Sequence, residues 1–202
     1  MRLYLIRHAV TSETGRRLSS IDPGISLSAD GQMMAKDLGE HLSPIKFDAI
    51  YSSPVQRCRE TASAVATGRG LRVRLDKAFT EADFGTWLGR PLRSLYKLKA
   101  WQELMISASR FRFPEGETLE EVQRRSVAGV EQLADKHKGA TIAIATHADV
   151  IRVVLAHYLG MPLDLVHRLD AGPASVSVVD LHPSGLVQVP IVNHIGDPGR
   201  WR

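Results

Sequence analysis

Short apolar runs alternate with amphipathic stretches along this chain. Leu3-Tyr4-Leu5-Ile6 is apolar and stops abruptly at Arg7-His8, which reads as a buried strand with a polar break at its carboxyl end. Thr141-Ile142-Ala143-Ile144-Ala145-Thr146 repeats the pattern and ends in His147-Ala148-Asp149. A helical pattern over 149–159 follows at once, with Val150, Val153, Val154 and Leu155 apolar, and Gly160-Met161-Pro162 stops it. Asp48-Ala49-Ile50-Tyr51 is a third short strand, leading through Ser52-Ser53-Pro54 into a helix over 55–67. Ser28-Ala29-Asp30-Gly31 opens a helix toward residue 42, with Met33, Met34, Leu38 and Leu42 on its apolar face. Leu71–Leu75 alternates as a strand does, 91–104 reads as one helix, and 117–136 as a long helix carrying Leu119, Val122, Val130 and Leu133. Ala174–Leu181 is β-rich, and His182-Pro183-Ser184-Gly185 turns it into Leu186–Val192 as a terminal hairpin.

These elements predict an α/β protein: a three-layer α/β/α sandwich whose sheet is mostly parallel with an antiparallel edge. Ligands of such sheets bind in the crevice outside the carboxyl ends of the strands. Two strands here end in a histidine. If they are neighbours in one parallel sheet, the two imidazoles face each other. The arginine and imidazole at 7–8 then suggest an anion site with a nucleophile in it. Arg57 and Arg59 lie in the first turn of the helix after the third strand, whose amino end adds positive dipole.

Composition narrows this further. The 202 residues suit one domain over 1–202 with a sizeable core, and 44% hydrophobic with 24% charged content is ordinary for a soluble globular protein. No repeat, low-complexity tract or linker interrupts it. No apolar stretch is long enough for a bilayer span, the amino terminus lacks a signal-peptide layout, and one cysteine excludes an internal disulfide framework. A cytoplasmic location is expected. The net charge of +4 fits a small anionic substrate better than nucleic acid, so neither a nucleic-acid nor a membrane partner is expected. A homodimer is left open.

An oxyanion bound at such a site meets in arginine a planar fork of donors with a permanent charge. Arg7 fits that role, with Arg57 and Arg59 both open beside it, and His147 adds a donor when protonated. Nearby arginines favour the neutral form of His8 that a nucleophile needs. Cys58 lies between two cations, but a buried small apolar role is the commoner one for such a residue. The remaining histidines show no metal-ligand spacing, so no metal and no cofactor are expected. Arg152 is placed to pair with Asp149 three residues earlier.

Arg7-His8, Ser52-Ser53-Pro54-x-x-Arg57, Glu81-x-x-Phe84-Gly85-x-Trp87 and Thr146-His147 together, in this order, resemble the histidine phosphatase superfamily, also called phosphoglycerate mutase-like. The resemblance implies that His8 attacks phosphorus to give a phosphohistidine. It implies that Glu81, rather than the neighbouring Asp83, protonates the leaving oxygen and then activates water, which requires a raised pKa. Catalysis of this kind is mostly positioning plus electrostatics, and here cationic side chains take the part that magnesium plays in kinases. The chain departs from the pattern in places. Ala9 and Ala148 stand for glycines, Leu88 for a glutamate, Thr118 for a serine ahead of the long helix, and Thr14 for an asparagine that contacts phosphate; Thr14 and Ala148 are kept as substrate-binding positions.

The compact chain is closest in look to the α-ribazole phosphatase and broad phosphatase branch. It is therefore read as a metal-independent phosphomonoester hydrolase of the histidine acid phosphatase type, acting on a small phosphate ester. Mutase-type phosphoryl transfer and a non-catalytic phospholigand-binding module are the alternatives. Arg16 and Arg17 meet a second acidic group of the substrate or are plain surface charges. Arg110-Phe111-Arg112-Phe113 reads as a basic lip over the pocket.

Overall fold

Strand β1 (Arg2–Arg7) is buried along its central four residues on both faces, as expected for an uninterrupted apolar run. In the computed structural model, which describes residues 1–22 and 24–196, β1 lies inside a six-stranded sheet. The other strands are β2 (Ala49–Ser52), β3 (Val73–Leu75), β4 (Thr141–Thr146), β5 (Val176–Leu181) and β6 (Val187–His194), and the order across the sheet is β3-β2-β4-β1-β5-β6. The pairs β3–β2, β2–β4 and β4–β1 are parallel, whereas β1–β5 and β5–β6 are antiparallel. The expected mostly parallel sheet with an antiparallel hairpin edge is therefore present.

Alternation along the central strands sorts side chains to two cores. Leu3, Leu5, Ile142 and Ile144 face one core, covered by helices α5 (Leu119–Lys136) and α6 (Ala148–Tyr158). Tyr4, Ile6, Ala143 and Ala145 face the other, covered by α1 (Ala29–His41) and α2 (Gln56–Ala66). Ser28 caps α1 by accepting from the Gly31 N–H. Thr118 and Glu121 form a reciprocal capping box that starts α5 at Leu119, so threonine serves the helix-starting role in place of serine.

The helix expected over 91–104 is instead two, α3 (Leu92–Leu95) and α4 (Lys99–Ile106), separated where Leu98 turns extended at ψ 138°. Leu95 and Leu104 are both buried. Nine positions apart on one straight helix they would lie on opposite faces, and the break lets both reach the core. Other boundaries shift by a few residues: β3 omits Leu71 and Arg72, and β6 continues to His194. Among the described residues no helix is long and apolar enough to cross a membrane.

Gly85 fixes the path of the segment after Glu81. Its φ is +51°, and a β-carbon there would sit 1.9 Å from the Pro114 carbonyl oxygen, so the 83–87 turn packs backbone to backbone on the turn before α5.

Candidate active site

Parallel pairing aligns Arg7 with Thr146, so His8 and His147 leave the sheet side by side. Their rings lie 5.4 Å apart, edge to face, and the expectation drawn from two histidine-ended strands holds. Ser53, just beyond β2, completes this row at the carboxyl edge of the sheet.

The hydrogen bonds fix both imidazoles. His8 Nδ1 lies 2.8 Å from the Ala9 carbonyl oxygen, which can only accept, so Nδ1 carries the proton and Nε2 keeps its lone pair. Arg57 Nε donates to that Nε2 at 3.1 Å. Burial, then Arg57, lowers the His8 pKa to about 3, so the ring is neutral across the physiological range. Arg57 Nη2 lies 3.0 Å from His147 Nδ1, which must accept from the guanidinium; His147 Nε2–H therefore donates to Ser53 Oγ at 2.9 Å. Burial and Arg57 also hold His147 well below its ordinary pKa. A protonated His147, the donor expected from the sequence, is thus not the resting state: the guanidinium beside it disfavours a second positive charge.

Arg57 comes from the first turn of α2 and is 1% exposed. Its Nη2 also donates to the Ser19 and Ser20 carbonyls, while its Nη1 is buried with no partner. Arg7 is anchored by Nη1 to the Ala171 carbonyl at 2.6 Å, and its Nε likewise has no partner. Both arginines line one cavity of about 430 Å³. An orphaned guanidinium donor in a buried position is costly unless an acceptor can reach it. The first turn of α6 adds to this. His147 is its N-cap, and Ala148, its first residue, lines the cavity, so free backbone N–H groups and the helix dipole favour an anion there.

Glu81 lines the same cavity as His8. It is 7% exposed, and its Oε1 accepts from the Ala82 N–H at 3.1 Å. Burial, then the Asp149 charge, raises its pKa to about 8. Its Oε2 is 3.9 Å from His147 Nδ1, but a protonated carboxyl beside a neutral imidazole is not an ion pair. Asp83 does not line the cavity; it accepts from the Gly85 N–H at 2.9 Å and shapes the turn.

Thr14 lines the cavity with its hydroxyl accepting from the Thr11 N–H at 2.9 Å. Arg17 reaches the rim but pairs with Glu13 at 3.5 Å, and Arg16 is not part of the lining. Arg152 pairs with Asp149 at 3.1 Å, as its spacing predicts, and also lines the cavity. The expected basic lip is not formed. Arg110 and Arg112 lie outside the lining, and Arg112 is bound by Glu121 at 2.7 Å, because the capping-box carboxylate reaches it first. The aromatics of that run turn inward, Phe113 into the cavity wall and Phe111 against Trp87.

Cys58 is fully buried, with Sγ 3.3 Å from His147 Nε2, and burial pushes its thiol pKa far up, which makes it a packing residue. Among the described residues no group of three or more His, Cys, Asp or Glu could hold a metal.

Sequence reasoning missed Arg125. From α5 its guanidinium donates to the carbonyls of Ala78, Thr80 and Glu81 and to the Glu117 carboxylate at 2.9 Å, while Glu117 accepts from the Asp83 N–H. This pair clamps the backbone that carries Glu81. The signal was an Arg on the buried edge of a helix eight residues after a Glu, which no short motif describes.

A sequence profile of the histidine phosphatase superfamily (branch 1) matches residues 3–193. The chain is 28% identical over 206 aligned positions to "Phosphoserine phosphatase 1" of Hydrogenobacter thermophilus, covering 98% of this chain and 95% of that one. Among solved structures, YhfR of Bacillus stearothermophilus superposes with a TM-score of 0.90 at 27% identity, covering 96% of this chain and 98% of that one. The α-ribazole phosphatase of Shigella flexneri superposes with a TM-score of 0.85 at 25% identity, covering 97% and 98%.

Proposed function

The chain belongs to the histidine phosphatase superfamily, branch 1, and from that premise we propose that it hydrolyses small phosphate monoesters through a phosphohistidine on His8. The observation that carries this reading is the meeting of three groups in one cavity: a neutral imidazole whose Nε2 lone pair accepts, among the described residues, only from Arg57, two arginines with unpartnered donors, and a carboxyl that is protonated at neutral pH.

The steps follow from these groups. The phosphoryl oxygens accept from Arg7 Nε, Arg57 Nη1 and the amino end of α6, with Thr14 at the edge. Arg57 Nε then turns from His8 Nε2 to the incoming anion, which frees the lone pair. Nε2 forms a bond to phosphorus as the ester P–O bond breaks, and Glu81 gives its proton to the leaving oxygen. The Glu81 carboxylate takes a proton from water, the water oxygen bonds to phosphorus, and the P–N bond breaks. His8 is neutral again and Glu81 protonated. His147, held by Arg57 and Ser53 behind the cavity wall, fixes the guanidinium plane as a positioning residue.

Several finer points belong to the same proposal. The chemistry is of the acid phosphatase type, since His8 stays unprotonated down to about pH 3 and Glu81 stays an acid up to about pH 8. Cationic side chains stabilise the transferring group without a metal. Residues 1–202 act as one catalytic domain in the cytoplasm, with a small phosphate ester as partner and no nucleic acid. Probable phosphoglycerate mutases stand among the relatives beside the named phosphatases; hydrolysis is our reading because the relative named a phosphatase is matched over nearly its whole length.

The test is phosphate release from a panel of monoesters with chelator present and His8→Ala in parallel. Chelator-resistant release that disappears in folded His8→Ala is expected. No release from any ester, or full release by His8→Ala, would overturn the reading.

A further inference from the structure

The cavity has two chemically different halves. The inner half holds His8, Arg7, Arg57 and Glu81. The same lining includes Leu92, Tyr96, Trp101, Leu104, Met105 and Phe113, an apolar wall that we take as the outer half, where the group bonded to the leaving oxygen lies. Trp101 stacks on the buried Trp87 at 6.0 Å, and Tyr96 stands edge-on to Trp101 at 4.9 Å. Tyr96 is 53% exposed, so an aromatic face is held at the mouth with little packing to account for it.

Charge in the rest of the lining cancels. Arg17 is matched by Glu13, and Arg152 by Asp149 with Asp170 beyond it at 3.6 Å. His167 also lines the wall with its Nε2 unpartnered, and burial lowers its pKa, so it brings no positive charge. A carboxylate on the leaving group would lose hydration here and find every lining guanidinium outside the inner half already opposed by a carboxylate. An uncharged ring would gain contact with the aromatic wall.

We infer that this outer half is a leaving-group subsite for an uncharged aromatic or apolar alcohol, so that the substrate is an aryl- or alkyl-bearing phosphate monoester rather than a phosphorylated acid. The inference rests on the phosphatase reading above for its inner half. Tyr96 and Trp101 set the preference, and the paired arginines hold the walls without attracting acidic groups.

Three phosphonates that cannot be hydrolysed separate the two claims: propyl-, 3-phenylpropyl- and 3-carboxypropylphosphonate, titrated calorimetrically. Their three-carbon spacers keep the anion alike while the far end changes. The phenyl compound should bind at least tenfold tighter than the propyl compound, as ring burial of this size implies, and the carboxyl compound no tighter than propyl. Equal binding of all three, preference for the carboxyl compound, or no binding at all would overturn the subsite. Hydrolysis of the matching phosphates reads the phosphatase proposal separately: binding preference without turnover would sink that proposal alone, and turnover without preference would sink this one alone. Tyr96→Ala, at a half-exposed position, should bring the phenyl-to-propyl ratio within threefold, and Tyr96→Arg should shift preference toward the carboxyl compound. A ratio unchanged in both Tyr96→Ala and Trp101→Ala would remove the assignment to this wall.

Discussion

Replacing Glu81 by glutamine removes one ionisation from a buried position and keeps nearly the same shape, including an oxygen to accept from the Ala82 N–H. In the unfolded chain this carboxyl ionises near its ordinary value of 4.5, whereas in the folded protein it keeps its proton until about pH 8. Between those values the unfolded state gains by losing a proton and the folded state does not, so wild-type stability falls as pH rises from 4.5 to 8. At about 1.4 kcal/mol per pH unit, the cost at pH 7 is on the order of 3 kcal/mol. Glu81→Gln escapes it. Scanning calorimetry of both proteins should find nearly equal unfolding temperatures at pH 4.5 and a variant more stable at pH 7, by roughly 6–12 °C for a chain of this size. The gap should grow between pH 4.5 and 8 and level off above. The same substitution should slow phosphoryl transfer to His8 from propyl phosphate, read in the first turnover, by about 10²–10⁴-fold, while sparing the first-turnover release of 4-nitrophenol, whose leaving group needs no proton; steady turnover of both esters falls, because phosphohistidine hydrolysis loses its base. A stability gap independent of pH would refute the raised pKa, and equal first-turnover losses on both esters would refute the acid role.

Other consequences are as direct. Arg57→Lys deletes the planar fork that meets His8, His147 and the 19–20 carbonyls, and steady-state kinetics should show kcat/KM down by about 10²-fold or more. Arg125→Met releases the backbone around Glu81, so first-turnover phosphoryl transfer from propyl phosphate should slow about tenfold or more while first-turnover release of 4-nitrophenol slows much less; equal first-turnover losses would show a general folding defect instead. Gly85→Ala meets both a positive φ and the Pro114 oxygen, and urea denaturation should register a loss of about 3 kcal/mol or more.

What the sequence revealed and hid has a physical pattern. His8 and His147 were legible because a buried strand writes itself as an apolar run and parallel pairing brings equivalent ends together. Arg57 was legible only in part, since the helix start after a strand offered Arg59 as well and the family resemblance chose between them. The sandwich followed from the same periodicities. The Arg125–Glu117 clamp was hidden because it joins a helix to irregular backbone, where no period applies. The break at Leu98 was hidden because local pattern suits one helix, and only the demand that Leu95 and Leu104 share a core divides it. The neutral state of His147 depends on a guanidinium 90 positions away in sequence. The basic lip failed for a similar reason, since Glu121 claims Arg112.

The phosphoryl-enzyme itself is the most direct test. Protein mixed with a hydrolysable ester, quenched in alkali within the first turnovers and digested, should give a phosphoryl adduct on the peptide bearing His8, stable to base and lost in acid. Its formation should keep pace with turnover and be absent from His8→Ala. Turnover in which no adduct forms on His8, or in which the adduct sits on another residue, would contradict the account.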